Sequence, residues 1–161
     1  MMSADDLARL ADVEAIKQLK ARYCRGVDTK DWEAWRTVFA DDLRFDTGGR
    51  VHDSADAFVS WVATYLPVGV TTAHRVFNPE ITLTGADAAT AIWAMQDYVR
   101  FPSDGLPVGF YGYGHYHEQY VRTSDGWRIR DIVLTRIRVD PLPGGIQPEA
   151  PAATPATSPT T

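Results

Sequence analysis

The sequence predicts an α+β fold in which N-terminal helices pack on one face of a curved, mostly antiparallel sheet. Apolar residues recur at steps of three and four through most of residues 3–66, which is the spacing of amphipathic helices. From residue 71 onward, four long segments have the alternation and the aromatic and β-branched content of strands. Because the helices precede a run of strands joined by tight turns, the pattern favours α+β over α/β.

Three helices are predicted. The first begins near Ser3 and ends near Gly26. Its apolar stripe consists of Leu7, Leu10, Val13, Ile16, Leu19, Tyr23 and Val27. The second covers 31–40, and the third covers 54–66 and is ended by Pro67.

One short strand and four long strands are predicted. The short strand covers 43–46 and ends at the turn 48–49. The long strands cover 71–84, 88–101, 110–122 and 127–139. Tight turns at 85–87 and 124–126 indicate two hairpins. The longer loop 102–109 is expected to flank the mouth of a pocket.

The strand over 88–101 is apolar on both faces, which predicts that both faces are covered. One face carries Ile92, Ala94 and Tyr98, and the other carries Trp93, Met95 and Val99. The helices can cover only one of them. The other is therefore expected to meet a second copy of the chain in a homodimer.

Composition places the chain among single-domain globular proteins. It has 161 residues, with 45% hydrophobic and 23% charged residues. The net charge of −5 argues against a nucleic-acid partner. The single cysteine, Cys24, excludes an internal disulfide. No signal peptide and no membrane span is predicted, so the expected location is the cytoplasm.

The chain divides into a body and a tail. Residues 1–140 are predicted to form the single domain. Residues 141–161 are rich in Pro, Ala and Thr, and they carry no aromatic residue and little charge. Such a segment buries too little apolar surface to offset its ordering entropy, so it is predicted to be disordered.

Polar residues within apolar segments mark a candidate acid/base site. His74 and Asp97 lie on successive strands, which antiparallel pairing can place side by side. His74 is predicted to be the general base or acid, and Asp97 its orienting partner. Tyr23 is predicted to donate a hydrogen bond to a carbonyl oxygen. Asp28 is predicted to position either a ligand hydroxyl or His74.

Each of these residues also has a structural interpretation. Tyr23 and His74 can be satisfied core residues, and Asp28 lies where an N-cap of the second helix belongs. A buried Asp97 needs a partner. Its candidates besides His74 are Arg100, Arg136 and Arg138.

The strand over 110–122 adds candidates for substrate binding. His115 and His117 share one of its faces, and Tyr116 and Glu118 share the other, without a sequence feature that decides which faces inward. His115, Tyr116 and His117 are therefore all candidate substrate-binding residues, together with Trp93 as an apolar wall. Two histidines without a third ligand do not specify a metal site, so no metal is predicted.

Three segments resemble the SnoaL-like branch of the nuclear transport factor 2-like superfamily. They are YCRGVDTKDWEAWRTVFADD, TTAHRVFNPEITLTGADAATAIWAMQDYV and YHEQYVRTSDGWRIRDI. The resemblance implies a cone-shaped fold with the helices on the concave face of the sheet. It is closest to scytalone dehydratase and bile acid 7α-dehydratase type proteins, which implies a catalytic set of Tyr23, Asp28, His74 and Asp97 and no cofactor or metal.

The predicted function is that of a cofactor-independent lyase or isomerase. Its expected ligand is an apolar cyclic hydroxy-carbonyl compound, such as a steroid, polyketide or terpenoid. An intramolecular aldol cyclase uses nearly the same groups, so dehydration and cyclisation are not separated. The alternatives are a non-catalytic small-molecule binding or accessory protein, and a scaffold subunit resembling the β-subunit of ring-hydroxylating dioxygenases.

Overall fold

The computed structural model describes residues 1–146, which form three helices and one six-stranded sheet. The helices are α1 (Ala4–Thr29), α2 (Trp32–Arg36) and α3 (Ala55–Tyr65), and the strands are β1 (Phe39–Asp46), β2 (Val51–His52), β3 (Thr71–Leu83), β4 (Ala88–Phe101), β5 (Val108–Thr123) and β6 (Gly126–Pro141). The strand order is β2-β1-β6-β5-β4-β3, with only β1 and β6 parallel among the described pairs. The predicted α+β class, with N-terminal helices on a curved sheet, is confirmed.

Helix α1 begins where the sequence predicts and runs past its predicted end. Ser3 caps it in a reciprocal pair with Asp6, whose backbone N–H donates to the Ser3 hydroxyl at 3.1 Å. Gly26 lies inside the helix, and Trp35 packs closely against it. A Cβ at Gly26 would lie 2.8 Å from Trp35 Cδ1, so the glycine marks a close approach and not a helix end. Lys30 is the C-cap and has a left-handed backbone with φ 60°.

The predicted second helix, 31–40, is longer than the helix in the structure. Helix α2 ends at Arg36, and β1 begins at Phe39 instead of Leu43. The backbone N–H of Ile129 donates to the carbonyl of Val38 at 2.9 Å, and Phe39 pairs with Ile129. Pairing with β6 therefore draws this segment into the sheet, in spite of its helical spacing.

The two faces of the sheet differ in burial. On β4, the side chains of Trp93, Met95 and Val99 are at most 4% exposed and face the helices. On the opposite face, Phe77 on β3 and Ile92 on β4 are 45% and 37% exposed, and Tyr111 on β5 is 39% exposed. We call these last three residues the outer apolar patch.

The described chain continues past the predicted domain boundary at residue 140. Strand β6 ends at Pro141, and the backbone N–H groups of Leu142 and Gly144 donate to the carbonyls of Gly109 and Pro107. Most of the predicted disordered tail, residues 147–161, lies outside the described residues. Within residues 1–146, no helix has the length and apolar character needed to cross a membrane.

Candidate active site

A cavity opens between the helices and the inner face of the sheet. Including its mouth, it contains about 590 Å³ of space free of protein atoms. Part of its wall is polar and consists of Tyr23, His74, Asp97, Tyr116 and Arg136. The rest is mainly aromatic and aliphatic, with Val27, Trp35, Phe45, Phe58, Trp61, Val62, Tyr65, Leu66, Val99, Phe110 and Leu134. An apolar chamber with a few converging polar groups is the common form of a small-molecule site.

His74 is held by Asp28. His74 lies on β3, and Asp28 lies in the last turn of α1. The ring Nδ1 of His74 is 2.7 Å from Asp28 Oδ1, and its backbone N–H donates to Asp28 Oδ2 at 2.8 Å. An ionised carboxylate only accepts hydrogen bonds, which assigns the ring proton to Nδ1 and leaves the lone pair on Nε2. The predicted pairing of His74 with Asp97 is wrong, and of the two roles predicted for Asp28 the hydrogen bonds match the positioning of His74.

Asp28 is surrounded by donors. The Thr72 hydroxyl donates to its Oδ1 at 2.9 Å, and the Lys30 ammonium donates to Thr72 Oγ1 at 2.8 Å. Burial acts to raise the pKa of Asp28, but the hydrogen bonds and charge of His74 outweigh it and lower that pKa. Asp28 does not cap α2. Asp31 does so, because its carboxylate accepts from the backbone N–H of Ala34 at 3.1 Å.

Asp97 pairs with Arg136 in a two-pronged ion pair. Asp97 faces His74 across the β3–β4 register, so both lie on the inner face of the sheet. Its oxygens are 2.8 and 2.7 Å from the two terminal nitrogens of Arg136. Arg136 was one of the three arginines that the sequence offered as a partner. Burial acts to lower the pKa of Arg136, and Asp97 more than offsets this and raises it.

A glycine makes room for this pair. A Cβ at Gly112 would lie 2.0 Å from Asp97 Oδ1 and 2.2 Å from Arg136 Nη1. Sequence reasoning did not place Gly112 at the site. The only available hint was the repeated glycine at 109, 112 and 114 within a segment that otherwise resembles a strand.

Tyr23 and Tyr116 stand together in the cavity wall. Their rings are 5.9 Å apart in an edge-to-face arrangement. Burial raises the pKa of both tyrosines well above the ordinary value, and the charge of Glu118 raises that of Tyr23 further. Both therefore keep their hydroxyl protons at neutral pH and can donate hydrogen bonds.

A buried ion pair lies behind the two tyrosines. The Lys20 ammonium is 2.5 Å from Glu118 Oε1, and neither side chain is exposed. The same ammonium is 3.8 Å from the ring centroids of both Tyr23 and Tyr116. The Tyr120 hydroxyl donates to the other oxygen of Glu118. Sequence reasoning placed neither Lys20 nor Tyr120 at the site.

Three of the predicted substrate-binding residues do not line the cavity. Trp93 is buried at 3% exposure, and its Nε1 donates to the Tyr120 hydroxyl at 2.9 Å. His115 and His117 lie on the opposite face of β5 from Tyr116, and His117 Nε2 is 3.2 Å from Thr135 Oγ1. The register of β5 thus selects Tyr116 for the cavity and excludes both histidines.

Sequence comparisons relate most of the chain to one domain family. Residues 8–133 match the family described as the SnoaL-like domain. A probable cyclase of Gibberella zeae is 26% identical over 133 residues, covering 76% of this chain and 89% of that protein. An uncharacterised protein of Mycobacterium tuberculosis is 27% identical over 132 residues, covering 81% and 88%.

Comparison with solved structures identifies the fold. A type 2 hexachlorocyclohexane dehydrochlorinase superposes with a TM-score of 0.77 at 20% identity, covering 92% of this chain and 99% of that one. A candidate scytalone dehydratase from Novosphingobium aromaticivorans superposes with a TM-score of 0.73 at 15% identity, covering 91% and 96%. At these identities the likeness establishes the architecture, and the predicted nuclear transport factor 2-like fold is confirmed.

Proposed function

This chain belongs to the SnoaL-like domain family, and from that premise we propose that it is a cofactor-independent lyase or isomerase. Its proposed substrate is an apolar cyclic hydroxy-carbonyl compound. The observation that carries the proposal is His74, which lines the cavity and is bonded through Nδ1 to Asp28. The probable cyclase, the dehydrochlorinase and the candidate scytalone dehydratase among the similar proteins support this reaction class.

The proposed reaction begins with proton transfer to His74. Its Nε2 lone pair takes the proton from the carbon next to the substrate carbonyl, and the electron pair moves into an enolate. Asp28 stabilises the imidazolium that forms. In a dehydration, the enolate electrons then form the carbon–carbon double bond as the carbon–oxygen bond breaks. The leaving hydroxyl takes the proton from His74 and departs as water.

Tyr23 and Tyr116 are the proposed donors to the enolate oxygen. Their hydroxyls remain protonated because of burial, and a hydrogen bond to a developing negative charge is strongest in a site with little water. Asp97 and Arg136 form part of the same wall and contribute opposite charges that cancel. Their proposed role is to hold the polar end of the substrate against the tyrosines.

The wall of the cavity favours a neutral ring compound. Six of its residues are Phe, Trp or Tyr beyond the polar end, namely Trp35, Phe45, Phe58, Trp61, Tyr65 and Phe110. At the polar end, Asp97 is paired with Arg136, and His74 is hydrogen-bonded to Asp28. A ligand that brought its own carboxylate or ammonium group would have to compete with those pairs and lose its hydration. Steroids, polyketides and terpenoids are proposed on this basis.

The test is ultraviolet-monitored turnover over a panel of hydroxy-ketone steroids and polyketide-like phenols. We expect His74→Ala to lower kcat/KM by about 10²–10⁴-fold, because general acid/base help is lost. His117→Ala, a histidine on the opposite face of the sheet, is the matched control and should retain turnover. Circular dichroism and thermal unfolding would establish that both variants are folded.

A non-catalytic binding protein is the second candidate. The observation that favours it is the bidentate Asp97–Arg136 pair, in which Asp97 is satisfied without a substrate. Ligand-dependent thermal stabilisation without turnover, unchanged by His74→Ala, would replace the enzyme proposal with this one.

We also propose that two copies of the chain associate through the outer apolar patch. Phe77, Ile92 and Tyr111 are each more than a third exposed on one sheet face. Exposed apolar side chains that share one sheet face support a surface that is covered in an assembly. The cytoplasm is the proposed location of this assembly.

A further inference from the structure

Two residues outside the cavity wall support the His74–Asp28 pair, and we propose that Lys30 and Thr72 are positioning residues that fix the tautomer of His74. They do so by holding the Asp28 carboxylate in one orientation. The inference rests on the proposed function, because the tautomer decides which ring nitrogen can act as the base.

The direction of each hydrogen bond follows from the chemistry of the groups. A Lys30 ammonium has only donors, so Thr72 Oγ1 must accept the 2.8 Å bond between them. Thr72 has one hydroxyl proton, and this proton is directed at Asp28 Oδ1, 2.9 Å away. The chain of bonds therefore points from Lys30 through Thr72 to Asp28 and cannot be reversed while Lys30 is charged.

These bonds fix the carboxylate of Asp28 at both oxygens. Oδ1 accepts from the Thr72 hydroxyl, and Oδ2 accepts from the backbone N–H of His74. Rotation of the carboxylate breaks both bonds. In the fixed orientation, Oδ1 lies 2.7 Å from His74 Nδ1 and favours a proton there. A neutral imidazole without such a partner can carry its proton on either nitrogen.

The backbone of Lys30 is an independent sign that its side chain is used. Lys30 is the C-cap of α1 with φ 60° and ψ 28°, a left-handed conformation that L residues with a Cβ disfavour. Glycine is the usual residue at such a helix end. Its backbone N–H bonds to the Gly26 carbonyl, which glycine could do equally well. The side chain instead reaches Thr72 and the Val27 carbonyl at 2.8 and 3.1 Å.

The charged and titratable groups around this support come from α1, β3, β4 and β6. Asp28 and Lys30 belong to the end of α1, and His74 belongs to β3. Asp97 on β4 faces His74 across the register, and its charge is paired with that of Arg136. Thr72 is 8% exposed, so water has little access to the bond that it makes with Asp28.

The test is nitrogen-15 NMR of the histidine side chains at a pH where the imidazoles are neutral. The chain has four histidines, so the resonances of His74 are assigned by their loss in His74→Gln. We expect wild type to carry the proton on Nδ1. Thr72→Val, which keeps the shape and removes the donor, should raise the ratio of the Nε2–H to the Nδ1–H form about tenfold, the equivalent of one hydrogen bond. Thr72→Ser should restore the wild-type ratio.

Lys30→Gly separates a capping role from a positioning role. We expect it to keep or raise the thermal midpoint, because glycine suits the left-handed C-cap, and yet to shift the tautomer ratio as Thr72→Val does. If Thr72→Val does not fold, Lys30→Gly carries the test alone. A tautomer ratio equal to that of wild type in the folded variants overturns the inference. This measurement uses no substrate, so its failure is distinct from failure of the turnover test with His74→Ala.

Discussion

Gly112 lies on β5 directly between two charged side chains that reach across it. Asp97 comes from β4 and Arg136 from β6, and their pairing fills the space that a side chain at 112 would occupy. The absence of a side chain at Gly112 is therefore needed for the two charged side chains to meet.

Substitution of Gly112 should disturb the ion pair. Gly112→Ala places a methyl group within 2.2 Å of atoms of both Asp97 and Arg136, so one of them has to move. We expect the free energy of unfolding to fall by about 2 kcal/mol, a typical cost of overpacking. Urea unfolding measures it.

The matched control is Gly105→Ala in the loop before β5, where no atom of residues 1–146 lies within 4 Å of the added Cβ. It should change the free energy of unfolding by less than about 0.5 kcal/mol. Equal stability of the two variants would mean that Gly112 is not required for space.

The residues of the cavity were easier to predict than their pairing. Tyr23, His74 and Asp97 line the cavity, as polar residues in apolar segments suggest, whereas the sequence left open whether Tyr116 or the two histidines of β5 face inward. Asp28 reaches His74 because the end of α1 packs near β3, and this contact joins residues 46 positions apart in sequence. Asp97 finds Arg136 across an intervening strand, a distance that neighbour rules for adjacent strands do not cover.

At the scale of elements, α1 contributes both core residues and site residues. Lys20, Tyr23 and Val27 are all buried along it, and Asp28 lies in its final turn. A fully buried lysine is exceptional and requires a partner, here Glu118 on β5. This ion pair connects the helix to the centre of the sheet directly behind the two site tyrosines.

Removing one member of the Lys20–Glu118 pair should lower the free energy of unfolding more than replacing both members by apolar residues. Lys20→Met leaves the Glu118 carboxylate buried without its cation, and we expect the free energy of unfolding to fall by about 3–5 kcal/mol. The double variant Lys20→Met/Glu118→Leu removes both charges and should recover most of that loss. Urea unfolding of the two variants and wild type measures the difference. A double variant no more stable than Lys20→Met would contradict this account of the pair.

The elements themselves were largely predictable, except for the end of the second helix and the short strand β2, which was not predicted. The three helices and the four long strands follow from periodicity and turn residues, within a few positions. The segment 37–40 was assigned to the second helix, but β1 begins within it at Phe39, where it pairs with β6. Strand β6 is remote in sequence, so no local pattern could show that pairing with it would outweigh the helical tendency of this segment.

At the scale of the whole molecule, the outer apolar patch has a consequence for assembly. We expect Ile92→Lys to shift the protein from dimer to monomer, because a cation at this position on the outer face of β4 would be buried against the second copy. Sedimentation velocity over a range of protein concentrations measures the change. Val68→Lys, at an exposed apolar position after α3, is the control and should leave the association unchanged. A wild-type protein that stays monomeric at every concentration would refute the proposed dimer.

The parallel contact of β1 with β6 also dictates an order of events during synthesis. Phe39 meets Ile129, so the strand that leads into the cavity wall at Phe45 waits for nearly the last part of the domain to leave the ribosome. Closing so long a loop is entropically costly, and the stabilising contact of β1 with β6 forms only after the β5–β6 hairpin is complete. The helices are made first, but the chamber that they cover cannot form until β6 has been made.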